Sequence, residues 1–100
     1  TAVEYGANIL MVVMNNSAWG QTYMQQQNIY GHTFGTTFAS PDFAAMARSC
    51  GAAGIRVSDP KQVTDALRDG LKETRDRPAL VEMMVADRPY PSLKGVTAAA

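Results

Sequence analysis

Cysteine is all but missing from this sequence: Cys50 is the 1 cysteine among 100 residues. A single thiol closes no disulfide and builds no cysteine metal cage, so a reduced, cytoplasmic setting fits. Excess charge is missing as well. Lys plus Arg and Asp plus Glu both number 9, which leaves no basic face to displace counterions from a nucleic acid and no cationic helix to lie on a membrane. The longest unbroken apolar run, residues 9–14, is far short of a bilayer span. No Gly-x-Gly-x-x-Gly turn follows any strand-like stretch, which argues against a nicotinamide-binding domain. The sequence also lacks a basic segment ahead of an apolar leader, and it lacks an initiator methionine. Residues 1–5 followed by Gly6 read as the last turn of a helix already under way, so Thr1 is expected not to be a natural start.

What is present is the composition of one globular domain or a piece of one, with 46% apolar and 18% charged residues. Residues 8–14 are nearly all apolar and rich in Val and Ile, as expected of a parallel strand covered on both faces. A helix is expected over residues 17–27, capped by Ser17, and then an irregular stretch over residues 28–39. Ser40-Pro41-Asp42 opens a second helix carrying Phe43, Met46, Ala47 and Cys50 at helical spacing, and Gly51 stops it. A short strand over residues 53–57 follows. Asp59-Pro60 then opens a third helix, with Gln62 placed to close a capping box. Its apolar stripe is Val63, Ala66, Leu67, Gly70 and Leu71. Residues 79–85 form a last strand interrupted only by Glu82. Strands alternating with helices of this length predict a βαβαβ, mostly parallel α/β sheet, in which ligands bind beyond the carboxyl ends of the strands.

Asn15 and Asn16 fall at that end of the first strand. A neutral amide oxygen suits Mg²⁺ or Ca²⁺, and exposed N–H groups at the start of the next helix suit phosphate oxygens. The competing reading makes both asparagines turn-formers through side-chain to backbone bonds.

Three stretches, "TAVEYGANILMVVMNNSAWG", "SPDFAAMARSCGAAGIRV" and "PALVEMMVADRPYP", stand in the order and at the spacing of a known family. Over residues 1–91 the chain resembles the C-terminal, diphosphate-binding domain of thiamine-diphosphate enzymes of the acetolactate synthase and benzoylformate decarboxylase type, leaving residues 92–100 as a tail. The resemblance implies a parallel-sheet, three-layer α/β/α fold, truncated at its N-terminus. Asn15-Asn16 matches the second half of the family's cofactor motif; the first half, Gly-Asp-Gly, does not occur among these residues. By position, the resemblance implies Mg²⁺ ligation by the Asn16 side chain and the Ala18 carbonyl, with Asn15 bracing the turn. Trp19, Gly20 and Gln21 would offer backbone N–H groups to the diphosphate, and Thr22 and Gln25 would face a 2-oxo acid substrate. Acetolactate synthases carry tryptophan where Gln25 stands. The implied whole protein is a homodimeric or homotetrameric carboligase or decarboxylase, of which this chain alone would be inactive. The catalytic glutamate of such enzymes matches none of Glu4, Glu73 and Glu82.

Other features carry two readings each. Residues 30–38 are either a cover over the site or a loop pinned by aromatics. Thr22 and Gln25 share a helix face that looks toward substrate or toward solvent. His32 is a proton shuttle or a surface histidine, Glu82 a functional or a structural carboxylate, and Cys50 and the methionines read as packing. For the chain as a whole the alternative to an enzyme part is a non-catalytic α/β binding or assembly module that has lost the cofactor.

Overall fold

The computed structural model describes residues 1–86; the expected tail over 92–100 and the 87–91 end of the domain lie outside the described residues. The chain divides into two compact units, Thr1–Asn15 with Ser40–Val85, and a second that contains Asn16–Ala39.

The first unit is a parallel sheet of three strands, β1 (Leu10–Asn15), β2 (Ala53–Val57) and β3 (Ala79–Met84), in the order β1-β3-β2. In register, Val12 stands opposite Val81 and Val81 opposite Ile55; Val13 stands opposite Glu82 and Glu82 opposite Arg56. Because side chains alternate along a strand, Val81 and Glu82 point to opposite faces. Helix α3 (Val63–Glu73) covers the Val81 face, where Val57, Ala66 and Val81 are buried with Leu10, Ile55, Val63 and Met83 packed around them. Helix α2 (Phe43–Ser49) covers the Glu82 face, and the Ala44 N–H donates to Glu82 Oε1 at 3.3 Å. One helix on each side of a parallel sheet is the expected three-layer α/β/α arrangement.

Small side chains let α2 come close. Ala44 and Ala47 are its buried residues, and a Cβ on Gly54 of β2 would collide with the Ala44 carbonyl oxygen. The expected stripe of Phe43, Met46, Ala47 and Cys50 is therefore shifted: Met46 and Cys50 are exposed and Ala44 takes the inner place. On α3 the stripe ends at Gly70, and Leu71 is exposed.

Three helix starts also differ from expectation. Asp42, not Ser40, caps α2, its Oδ1 accepting from the Ala45 N–H at 2.8 Å. Asp59 accepts from the Lys61 N–H at 2.9 Å, while the Gln62 N–H is taken by the Asp59 carbonyl at 2.9 Å. The first turn is thus 3₁₀, over Pro60–Gln62, which uses up the donor a capping box needs. Ser17 is not the cap of the first helix: it holds a left-handed backbone (φ 57°), and the helix starts at Gly20 with Trp19 at its N-cap. Gly51 does end α2, with its N–H on the Arg48 carbonyl and the Ala52 N–H on the Ala47 carbonyl, the paired bonds of a Schellman close. Residues 1–7 close the same way, with Gly6 N–H on Val3 and Ala7 N–H on Ala2.

Strand β1 is apolar but not covered on both faces among the described residues. It lies at the edge of the sheet, with Val12 at 46% and Met14 at 63% exposure. The sheet's centre is instead β3, whose Ala79, Val81 and Glu82 are fully buried.

The second unit contains helix α1 (Gly20–Tyr30), which buries none of its residues. A loop returns from it and pairs Thr37 with Ala18 in a single antiparallel bridge. Among the described residues no helix is long and apolar enough to cross a membrane.

Candidate functional site

Residues 16–22 and Gln25, singled out from the sequence, lie together in the second unit, where Asn16–Ala39 forms a turn, a helix and a return loop. The turn is built first. With Ser17 left-handed, the backbone doubles back so that Asn16 Oδ1 accepts the Ala18 N–H at 3.2 Å. This is an Asx-type turn, and it leaves the amide oxygen a second lone pair. Asn16 Nδ2 lies 2.9 Å from where a Cβ on Gly20 would sit, so a side chain there would push the amide away. Gly20 thus keeps the Asn16 amide over the start of α1.

The return loop fixes the other side of the turn. Trp19 N–H donates to the Thr36 carbonyl at 2.8 Å, and Phe38 N–H donates to the Ser17 carbonyl at 3.1 Å. These two bonds flank the Ala18–Thr37 pair, which places both residues at a non-hydrogen-bonded position. The Ala18 carbonyl is therefore not used by the bridge. Two neutral oxygens, Asn16 Oδ1 and the Ala18 carbonyl, belong to one short turn, as a hard cation requires.

Helix α1 begins without a side-chain cap, and its first turn holds no acidic residue. Its leading N–H groups, those of Gly20 and Gln21, carry the positive end of the helix dipole with nothing anionic beside them on the helix. Trp19 differs from the expectation, since its N–H is spent on Thr36 in this conformation. Its indole is exposed and meets Phe38 edge-on at a centroid distance of 6.1 Å. Thr22 and Gln25 are exposed on α1, three residues apart and so on one face. Among the described residues no group of His, Cys, Asp and Glu is arranged to hold a metal ion. The two oxygens that the turn itself offers, Asn16 Oδ1 and the Ala18 carbonyl, are neutral.

The return loop is pinned by polar bonds in addition to the Trp19–Phe38 ring contact. Gln26 Oε1 accepts from the Phe34 N–H at 3.0 Å and the Thr36 hydroxyl at 3.3 Å, while Gln26 Nε2 donates to the Phe34 carbonyl at 3.3 Å. Phe34 itself is 87% exposed, whereas Thr36 is buried. The sequence does not single out Gln26, because it stands between Gln25 and Gln27 and nothing local separates the three. His32 is exposed, with Nδ1 3.1 Å from the Tyr30 carbonyl, as suits a surface histidine at a helix end.

In the first unit, Asn15 and Glu82 turn out to be partners. Both are buried, and Asn15 Nδ2 donates to Glu82 Oε2 at 2.6 Å. The Ala44 N–H reaches Glu82 Oε1, and Arg56 Nε lies 3.8 Å from that same oxygen. Glu82 thus links the end of β1, the start of α2 and a cation on β2. Such full engagement is the mark of a structural carboxylate.

The sequence profile of the family described as "Thiamine pyrophosphate enzyme, C-terminal TPP binding domain" matches residues 1–83. The chain is 34% identical over 89 residues to the putative thiamine pyrophosphate-containing protein YdaP of Bacillus subtilis (strain 168), covering 89% of this chain and 15% of that protein. To an acetolactate synthase of the same organism it is 34% identical over 85 residues, covering 85% of the chain and 15% of the relative. To the catabolic acetolactate synthase of Raoultella terrigena it is 32% identical over 95 residues, covering 95% and 17%. The chain therefore spans less than a fifth of the length of these relatives.

Proposed function

Because the chain belongs to the thiamine pyrophosphate enzymes, as their C-terminal cofactor-binding domain, we propose that residues 16–21 hold the Mg²⁺ and diphosphate end of thiamine diphosphate (thiamine pyrophosphate). The whole protein would then be an acetolactate synthase-like carboligase or decarboxylase acting on a 2-oxo acid. The observation that carries the reading is the turn itself: an amide oxygen and a backbone carbonyl precede a helix start that has no cap and no acid.

In this reading Asn16 Oδ1 and the Ala18 carbonyl are Mg²⁺ ligands. The Gly20 and Gln21 N–H groups receive phosphate oxygens, and Gly20 keeps the approach open. Two neutral ligands do not fill an octahedron or balance the ion's charge, so phosphate oxygens, water and a carboxylate from elsewhere in the whole protein complete it. When bound, thiamine diphosphate supplies the electron sink that lets a 2-oxo acid lose carbon dioxide. The residues of this chain bind and orient, and none of them is given a proton-transfer role. Thr22 and Gln25 line the substrate side of α1. The whole protein works as a homodimer or homotetramer, in a reduced, cytoplasmic setting, which the single cysteine of this chain, Cys50, suits.

The test is turnover by the full-length protein supplied with thiamine diphosphate and Mg²⁺ and offered a panel of 2-oxo acids. Release of carbon dioxide from at least one of them is expected. Gln25→Trp should reorder the panel by kcat/KM while cofactor affinity stays the same, since a ring at that position reshapes the pocket and leaves the metal turn alone. No decarboxylation of any 2-oxo acid by cofactor-loaded protein would refute the activity. An unchanged ranking would remove Gln25 from the substrate side.

A further inference from the structure

The three hydrogen bonds of Gln26 reach beyond the loop they touch. Its carboxamide grips both backbone groups of Phe34 and the hydroxyl of buried Thr36. The Thr36 carbonyl in turn accepts from the Trp19 N–H, and two residues on, the Phe38 N–H donates to the Ser17 carbonyl. Ser17, Ala18 and Trp19 are thereby held from outside, while Asn16 is held from inside by the Ala18 N–H. The chain of contacts runs from one side chain on the second turn of α1, through the loop, to the turn that precedes the same helix.

Ser17 has a left-handed backbone, a conformation that a serine adopts at a cost and keeps only when its surroundings impose it. Helix α1 has no fully buried residue. The Trp19–Phe38 ring contact involves an exposed indole. Bonds to the loop restrain residues 17–19, and the Gln26 side chain ties that loop to the helix.

We propose that Gln26 is a positioning residue for the cofactor turn: by clamping residues 34–36 to α1 it keeps Asn16 and the Ala18 carbonyl in the arrangement that receives Mg²⁺ and diphosphate. The proposal rests on the cofactor reading of residues 16–21. Gln26 touches neither ion nor phosphate in this role. It removes conformational freedom from the turn before the cofactor arrives, so that less is lost on binding.

The experiment uses the full-length protein as wild type and as Gln26→Leu, Gln26→Glu, Thr36→Val and Asn16→Ala. Thiamine diphosphate affinity at saturating Mg²⁺ is measured by calorimetry, and amide exchange is followed in peptides covering residues 17–19 and 33–38. Gln26→Leu removes all three bonds. It should speed exchange of the Phe34, Trp19 and Phe38 amides and raise the cofactor Kd about tenfold, the scale of one to two lost hydrogen bonds. Thr36→Val keeps the buried branched shape and loses one bond, so its Kd should shift in the same direction by less. Gln26→Glu keeps an acceptor for Phe34 and Thr36 and should recover part of both effects. A purely structural role predicts a different pattern, faster exchange with an unchanged Kd, and that result overturns the proposal. Unchanged exchange in Gln26→Leu overturns it too. If the wild type takes up no cofactor, or Asn16→Ala binds it as well as the wild type does, the parent reading fails, and this proposal with it.

Discussion

At the scale of single residues, two adjacent asparagines with the same side chain have been given unlike surroundings. Asn15 is buried and spends its amide nitrogen on the fully buried Glu82, whereas Asn16 is half-buried and its amide oxygen accepts from the Ala18 N–H of its own turn. The sequence made the Asn pair and the polar break at Glu82 legible one at a time. It did not show that two lone polar groups in neighbouring apolar strands satisfy each other, although burial makes such pairing the expected outcome. Asn15→Ala in the full-length protein should leave Glu82 short of a donor inside the sheet, at a cost of about 2 kcal/mol. The check is amide exchange in β1 and β3, where local opening should become roughly thirtyfold more frequent while thiamine diphosphate affinity stays near normal. Unchanged protection would mean that water or another group replaces the lost donor. The Gln26 clamp was not legible at all, because its meaning lies in a loop that comes back from ten residues on.

At the scale of elements, the types of strand and helix were legible from periodicity and stop signals, and their exact starts were not. Asp42 and Asp59 both cap by side chain, and each does so at a place decided by the hydrogen bonding of the first turn, which composition alone does not fix. Strand order was likewise hidden, because β1 and β3 are equally apolar in sequence and only the structure puts β3 at the centre. The two buried helix–sheet contacts make a sharp contrast. A methyl on Gly54 would strike the backbone carbonyl of Ala44, which cannot move without shifting α2. A methyl on Gly70 would meet Leu10 Cδ1 at 2.8 Å, the far end of a side chain that can rotate, and Val81 Cγ2 at 3.1 Å, which must give by a few tenths of an ångström. Replacing a mid-helix glycine with alanine also returns up to about 1 kcal/mol of helix propensity. Gly54→Ala should therefore cost about 3 kcal/mol or more and Gly70→Ala less than about 1 kcal/mol, read as melting temperatures of the two variants side by side. Equal losses would show that α2 adjusts as readily as the side chains under α3.

At the scale of the whole molecule, the chain spans only 15–17% of the relatives it matches, and among the described residues it exposes many large apolar side chains. Ile9, Val12 and Met14 on or beside β1, and Trp19, Ile29, Tyr30 and Phe34 around α1, are all more than 40% exposed. An apolar edge strand that the described residues leave uncovered invites pairing with another chain. The 100-residue chain produced alone should accordingly self-associate in sedimentation velocity and bind thiamine diphosphate far more weakly than the full-length protein. A monodisperse monomer with micromolar cofactor affinity would contradict both expectations. The central claim, that residues 16–21 receive the Mg²⁺-bound diphosphate, is tested most directly by thiamine diphosphate affinity across a Mg²⁺ titration, for full-length wild type, Asn16→Ala and Asn15→Ala. Loss of one oxygen ligand should make Asn16→Ala require steeply more Mg²⁺ for the same cofactor occupancy, while Asn15→Ala follows the wild-type curve. Coincident curves for Asn16→Ala and wild type would contradict the account.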